Sequence, residues 1–346
     1  MSQRLLIIDD SPYYRLRFSK IFSRSARLEV AGLAEDGDIA IKQIFELNPD
    51  ILLLDLVMPR LDGFGVLRWV MANRPMPVVV CSSYGDRDRV FKALELGAID
   101  FLLKPTPRAT RLTSNLEDRI IERVEEAALA KSSPGIAPDA GRKAESLTAE
   151  QAAYGAGVEL ICIAASTGGP AAIQRLIAEL PRSLEVPIIV VQHMPEGFTG
   201  PFAARLDSIS HYKVVEARNG VQVRGRHIYI APAGLETRVF CNRGLLFLSV
   251  SSSPTTGHAP SADALFNSAA SELGKRTLAV VLTGMGQDGA RGAEEIRQAG
   301  GHVIVESNES AIVFGMPRSV IERGCASAML PIWAMPPVLL AYTLKD

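Results

Sequence analysis

Short apolar runs alternate with amphipathic stretches in two separate series along this chain, and that alternation limits its fold more than any other feature. In residues 4–105 the apolar runs are RLLIID, ARLEVAGLA, DILLLDL, MPVVVCS and AIDFLLK. Between them lie helical patterns such as SPYYRLRFSKIFSRS, DGDIAIKQIFELN and DRDRVFKALELG. Runs apolar on successive residues suit strands covered on both faces, and their alternation with helices implies a parallel, doubly wound sheet.

The pattern changes after Pro107. Residues 112–131 suit one helix, and residues 132–157 then lose periodicity and become rich in Ser, Pro, Gly and Ala, the composition of a mobile linker. From Val158 the alternation resumes with VELICIAA, VPIIVVQH, KVVEA, RHIYIAP, TLAVVLT and HVIVES. An antiparallel excursion is expected near residues 227–250, where strands follow at short spacing. The reading is therefore two α/β domains, 1–125 and 158–346, joined by a helical and flexible linker over 126–157. A length of 346 residues agrees with two cores at about 150 residues each. No repeat relates the two halves.

Charge and cysteine content exclude several classes. Lys and Arg (37) nearly match Asp and Glu (38), so there is no general basic field to hold nucleic acid. The four cysteines form no CxxC pair, which argues against a zinc site or a disulfide framework. The start, MSQRLLIIDD, reaches two aspartates after four apolar residues, too few for a signal peptide. The apolar stretch AMLPIWAMPPVLLAY is short for a membrane span and is broken by Pro331, Pro336 and Pro337. A cytoplasmic protein without membrane insertion is expected.

Ligands of parallel sheets gather outside the carboxyl ends of the strands. In the first series those ends deliver Asp9 and Asp10, then Asp55, Ser82 with Ser83, and Lys104. Three carboxylates repel one another unless a cation joins them, and an all-oxygen donor set suits Mg²⁺. A metal-neutralised aspartate can accept a phosphoryl group, with a lysine as charge-assisted partner of the product. Taken singly, each of these residues also serves as a loop or helix-capping group.

The stretches IIDDS (7–11), LLLDLVMPRLDG (52–63), CSS (81–83) and LLKP (102–105) resemble the receiver domain of two-component response regulators. The resemblance implies a flavodoxin-like fold, Asp55 as phospho-acceptor, and Asp9, Asp10, Asp55 and the Val57 carbonyl around Mg²⁺. It also implies Ser82 as the switch hydroxyl, Lys104 as the phosphate-sensing lysine and Phe101 as the aromatic that rotates on activation.

In the second series Ser166 directly follows the strand LICIAA and precedes TGGPAAIQRLIAEL. Strand, glycine turn and helix form the setting of a nucleophile elbow, with helix N–H groups able to meet developing negative charge. His193 follows IIVVQ, and Asp288 lies in the turn LTGMGQDGARG. A serine needs a base to take its proton, and the imidazole needs a partner to hold its tautomer. Each residue alone is also an ordinary cap or rim group. STGG is also a candidate phosphate cradle, although it lacks the lysine of a P-loop.

The order Ser–His–Asp differs from the Ser–Asp–His order of common α/β hydrolases. The stretches IAASTGGP (163–170), VVQHMPEGFTGPFAARL (190–206), HIYIAPAG (227–234), HAPSADALFNSAA (258–270) and LTGMGQDGARG (282–292) instead resemble the CheB-type chemotaxis protein-glutamate methylesterases. That resemblance implies a Rossmann-like catalytic domain without a cofactor, with Ser166, His193 and Asp288 as the triad. Thr167 and Met285 would line the oxyanion region, and Arg205 is a candidate contact to an acidic helical substrate. The implied partners are methylated chemoreceptors and a chemotaxis histidine kinase, with phosphorylation of Asp55 relieving an inhibition. Glu236 stands where the family usually has histidine, and Ala262 where a bulkier apolar residue is common. A transcriptional regulator is the main rival, disfavoured because the second half shows no helix-turn-helix pattern or basic helix. A non-catalytic signalling adaptor is the other.

Overall fold

The computed structural model describes residues 2–83, 85–105, 114–130, 156–252 and 259–344, and the chain divides into two units at Asp139/Ala140. Most of the expected linker, residues 131–155, lies outside the described residues.

The first unit contains β1 (Gln3–Ile8), β2 (Leu28–Ala34), β3 (Ile51–Asp55), β4 (Val78–Ser82) and β5 (Asp100–Leu103). Around them run α1 (Pro12–Phe22), α2 (Gly37–Leu47), α3 (Gly63–Asn73), α4 (Arg87–Glu95) and α5 (Ser114–Ala128). The strand order is β2-β1-β3-β4-β5, parallel throughout. Every residue of β3 and β4 is buried, which is why these segments read as unbroken apolar runs. The carboxylates of Asp36 and Asp62 cap α2 and α3 by accepting the N–H of Ile39 at 2.9 Å and of Gly65 at 2.8 Å. The order reverses direction at β1, between its neighbours β2 and β3, so a crevice opens above the ends of β1 and β3.

The second unit is built on β6 (Leu160–Ala165), β7 (Ile188–Gln192), β8 (Lys213–Glu216), β9 (His227–Ile230), β10 (Glu236–Asn242), β11 (Leu245–Ser251), β12 (Thr277–Val281), β13 (His302–Glu306) and β14 (Ala328–Leu330). Its helices are α6 (Gly169–Ala178), α7 (Thr199–Ile209), α8 (Ala262–Leu273), α9 (Ala290–Gln298), α10 (Met316–Glu322) and α11 (Met335–Thr343). Seven strands form one parallel sheet in the order β14-β13-β12-β6-β7-β9-β8. The chain lays β7, β8 and β9 to one side of β6 and then returns to lay β12, β13 and β14 on the other. That reversal puts the crevice at β6 and β12, whose last registered pair is Ala164 with Val281.

The antiparallel hairpin is narrower than the sequence suggested. His227–Ile230 joins the parallel sheet, and β10 pairs β11 from Glu236 opposite Ser251 to Asn242 opposite Leu245. The physical reason is coverage: the last three residues of β9 are buried, whereas β10 and β11 carry exposed residues at their turn. The apolar stretch near the C-terminus resolves into β14, a short 3-10 turn and α11. Proline at the start of α11 is tolerated because the first N–H groups of a helix need no partner within it. The Tyr342 ring lies 4.9 Å from that of His302, and the Tyr342 carbonyl accepts the Val158 N–H at 3.1 Å.

Phe266 in α8 is fully buried among side chains from β6, β12 and α9. Truncating such a residue to alanine costs about 3–5 kcal/mol, and here it would loosen the packing of α8 on the sheet.

Candidate active site and phospho-acceptor pocket

At the rim of the first sheet the Lys104 ammonium lies 2.8 Å from an oxygen of Asp9 and 2.8 Å from an oxygen of Asp55. Oxygens of Asp9, Asp10 and Asp55 all fall within 4.8 Å of one another. Asp9 and Asp55 are buried, whereas Asp10 is exposed. Three carboxylates this close, with one ammonium between two of them, leave negative charge that suits a hard divalent cation. Burial raises the Asp55 carboxyl to about 6, opposed by the hydrogen bond and charge of Lys104. Burial alone would lower the Lys104 ammonium, but the bonds to Asp55 and Asp9 raise it well above its usual range.

The remaining first-unit residues surround this pair. The Val57 N–H donates to Asp55 at 3.3 Å, and the Ser82 hydroxyl, 2% exposed, donates to the Ser83 carbonyl at 3.4 Å. Phe101 is fully buried, with the Arg123 guanidinium 5.9 Å from its ring centre. The structure thus brings Asp9, Asp55, Ser82 and Lys104 to one rim, with the Phe101 ring turned inward.

In the second unit Ser166 follows β6 on a tight turn into α6. Gly168 holds φ at +78°, and a Cβ there would press within 2.9 Å of Ile312, so this turn excludes larger residues. Gly284 approaches so closely that a Cβ would lie 2.8 Å from that of Ser166. His193 follows β7, and its Nε2 lies 2.8 Å from Asp288 Oδ2. The Ser166 N–H donates to the Thr283 carbonyl at 3.0 Å, and the His193 N–H donates to the Ala165 carbonyl at 3.1 Å. One amide nitrogen, Nε2 of Gln192, donates to both the Ser166 carbonyl at 2.9 Å and the His193 carbonyl at 3.0 Å. Ser166 and His193 are thus tied through their own backbones, and His193 meets Asp288 directly.

Asp288 is held from the other side by the start of α8. It accepts the Ser261 hydroxyl at 3.0 Å and the N–H groups of Ala262 at 2.8 Å and Asp263 at 3.0 Å. Burial by itself would raise its carboxyl, but the bond and charge of His193, with the two backbone donors, bring it down to about 2. Thr167 is fully buried, and Met285 is half-buried on the turn before Asp288. Beyond that turn lies a groove of about 390 Å³ lined by Gln287, Arg318, Glu322 and Arg323 among others.

These features agree with the comparisons to known proteins. The CheB methylesterase family model matches residues 161–339, and the response regulator receiver domain model matches residues 5–117. The chain belongs to the CheB methylesterase family. A protein-glutamate methylesterase/protein-glutamine glutaminase of Bacillus licheniformis is 38% identical, over 99% of both chains. One from Myxococcus xanthus is 40% identical over 99% of this chain and 97% of its own. The crystal structure of the Thermotoga maritima CheB methylesterase catalytic domain covers 53% of this chain and 97% of its own, at 41% identity and a TM-score of 0.52.

Sequence reasoning missed several members of this CheB-family site. Gln192, Ser261 and Thr283 act through hydrogen bonds that no motif announced, although Ser261 two residues before Asp263 carried the signature of a helix cap. Glu306, 1% exposed at the end of β13, is the other omission. Of the two family departures, Glu236 is buried at the head of β10 and pairs with Arg238 at 2.5 Å. Ala262 serves Asp288 through its backbone N–H, a contact that its small side chain leaves unaltered. Arg205 is half-buried on α7.

Proposed function

We propose that the chain is a phosphorylation-activated protein-glutamate methylesterase, with glutamine deamidase activity, acting on the cytoplasmic helices of chemoreceptors. The observation that carries this reading is the 2.8 Å His193–Asp288 contact beside Ser166 on a strand–turn–helix. Ser166 Oγ attacks the ester carbonyl while His193 takes its proton. Because Nε2 faces Asp288, Nδ1 is the ring nitrogen assigned to the serine. Backbone N–H groups near Thr167 and Met285 meet the oxyanion, each worth about 3 kcal/mol in such sites. His193 returns the proton to the leaving methoxide, which departs as methanol. A water, deprotonated by the same imidazole, then cleaves the acyl-enzyme to glutamate. Arg318 and Arg323 in the neighbouring groove suit the acidic side chains of a helical substrate.

Residues 1–125 act as the receiver, 126–157 as linker and 158–346 as catalytic domain. In the receiver Asp55 accepts phosphate from a histidine kinase, with Asp9, Asp10, Asp55 and the Val57 carbonyl as ligands of Mg²⁺. The bound ion supplies charge neutralisation for the incoming phosphoryl group. Lys104 then pairs with the phosphate, Ser82 bonds it and Phe101 turns, and the change raises esterase turnover. Function in the cytoplasm agrees with the fact that, among the described residues, no helix is long and apolar enough to cross a membrane. The test is methanol release from methylated receptor membranes, with and without a small phosphodonor and Mg²⁺. Turnover that survives Ser166→Ala refutes the nucleophile, and turnover indifferent to the phosphodonor refutes the control.

A further inference from the structure

Glu306 is a buried carboxyl that the reaction above does not use. Its Oε2 accepts the Thr283 N–H at 2.7 Å, and its Oε1 accepts the Ser310 hydroxyl at 2.8 Å. Ser310 Oγ in turn accepts the Ile332 N–H at 2.9 Å, which fixes the far side of the contact. An apolar side chain of similar size would fill this space without the cost of burying a charge. It would not give the Thr283 N–H an acceptor.

Thr283 is fully buried and stands between Glu306 and the nucleophile turn. Its carbonyl accepts the Ser166 N–H at 3.0 Å. Its hydroxyl donates to the Thr167 carbonyl at 3.0 Å and accepts the Val313 N–H at 2.9 Å. Next to it, the Gly284 N–H donates to the Val313 carbonyl at 3.0 Å, and the Gly284 carbonyl accepts the Met316 N–H at 2.7 Å. Three loops, those after β6, β12 and β13, therefore meet at one residue whose backbone N–H ends on a carboxyl. A shift of Thr283 has to move Ser166, Thr167 and the Met285 turn together.

We propose that Glu306 is a positioning residue, which through Thr283 sets the placement of the Ser166–Thr167 backbone and of the N–H groups around the oxyanion. The inference rests on the reading of Ser166 as nucleophile. It predicts an effect on the chemical step more than on substrate capture, because Glu306 and Thr283 are themselves buried and neither lines the groove beside the triad. Displacements of about 1 Å at reacting groups can cost up to roughly a hundredfold in rate.

The experiment compares Glu306→Leu, Glu306→Gln and Thr283→Val in the full chain, with Ser166→Ala as control. Three quantities are read: kcat and KM for methanol release, the rate of fluorophosphonate labelling of Ser166, and the melting midpoint. Glu306→Leu is expected to lower kcat and labelling together by roughly tenfold to a hundredfold, with KM within about twofold of the parent. Glu306→Gln, whose amide oxygen still accepts from Thr283, is expected to restore both to within roughly threefold. The inference is overturned if Glu306→Leu keeps the parental kcat, or if Glu306→Gln is as impaired as Glu306→Leu. Should Glu306→Leu fail to fold, Thr283→Val decides: slower labelling at unchanged KM supports the network, and parental labelling ends it. Turnover retained by Ser166→Ala would instead remove the nucleophile on which the inference stands.

Discussion

Asp55, buried, and Asp288, only slightly exposed, both stand at the carboxyl-end rim of a parallel sheet, yet they settle on opposite sides of the ordinary aspartate range. Burial pushes Asp55 up to about 6, whereas Asp288, under the same pressure, is brought down to about 2. The number of donors accounts for the difference. Asp288 receives the Ser261 hydroxyl, two backbone N–H groups and the ring of His193. Asp55 shares one ammonium with Asp9 and takes a long bond from Val57. A carboxylate surrounded by donors keeps its charge and can hold an imidazole in place through a reaction cycle. One supplied sparingly is left able to react, provided that a cation assists it.

The sharpest way to break this contrast is to exchange losses. Ser166→Ala should lower methanol release by a factor on the order of 10⁴ or more while leaving phosphorylation by a small phosphodonor intact. Asp55→Asn should do the reverse, abolishing phosphate incorporation and keeping the unphosphorylated esterase rate. Loss of both activities in either variant would mean that the two rims are not chemically separate. Chelation comes next. EDTA should slow phosphorylation roughly a hundredfold, and the basal esterase rate should not respond to it.

A smaller effect tests the donors of Asp288. Ser261→Ala removes one of them and should cut kcat by roughly tenfold, the rate equivalent of one charge-assisted bond. An unaltered kcat would show that the backbone N–H groups suffice. The smallest effects are on stability and differ in sign between two acids, Asp288 and Glu306. Because Asp288 is lowered, its stabilisation of roughly 2 kcal/mol is present above its unfolded value near 3.8 and is lost as pH falls through about 2. Glu306 is raised to about 7 by burial, against the bonds from Ser310 and Thr283. Its contribution is therefore present below about 4.5 and fades as pH rises through 7. Denaturation midpoints followed against pH should show Asp288→Asn flattening the acid limb and Glu306→Gln flattening the limb between about 4.5 and 7. Identical profiles for parent and variants would discount both shifts.

Much of this was legible because buried parallel strands read as continuous apolar runs, so the residue after each run marks the rim. Asp9, Asp55, Ser82, Lys104, Ser166 and His193 were all found that way. Asp288 was reached through its glycine-rich turn, and its geometry follows from the turn lying beside α8. What stayed hidden was of two kinds. Gln192, Thr283 and Glu306 look like ordinary strand ends, and only the packing of three loops gives their polar atoms a shared purpose. The strand β10 escaped because ETRVFCN opens on three polar residues and is exposed over its last three, whereas the proline-led α11 looked like a break.

The amide nitrogen shared by Gln192 between two carbonyls bears on attempts to transplant this site. Ser166, His193 and Asp288 are not a portable trio. A recipient scaffold would have to import the last residue of the neighbouring strand, the threonine under the turn and the first turn of an unrelated helix. Grafts that carry only the three side chains proposed for catalysis, without this upholstery, should give a serine that is present but dull.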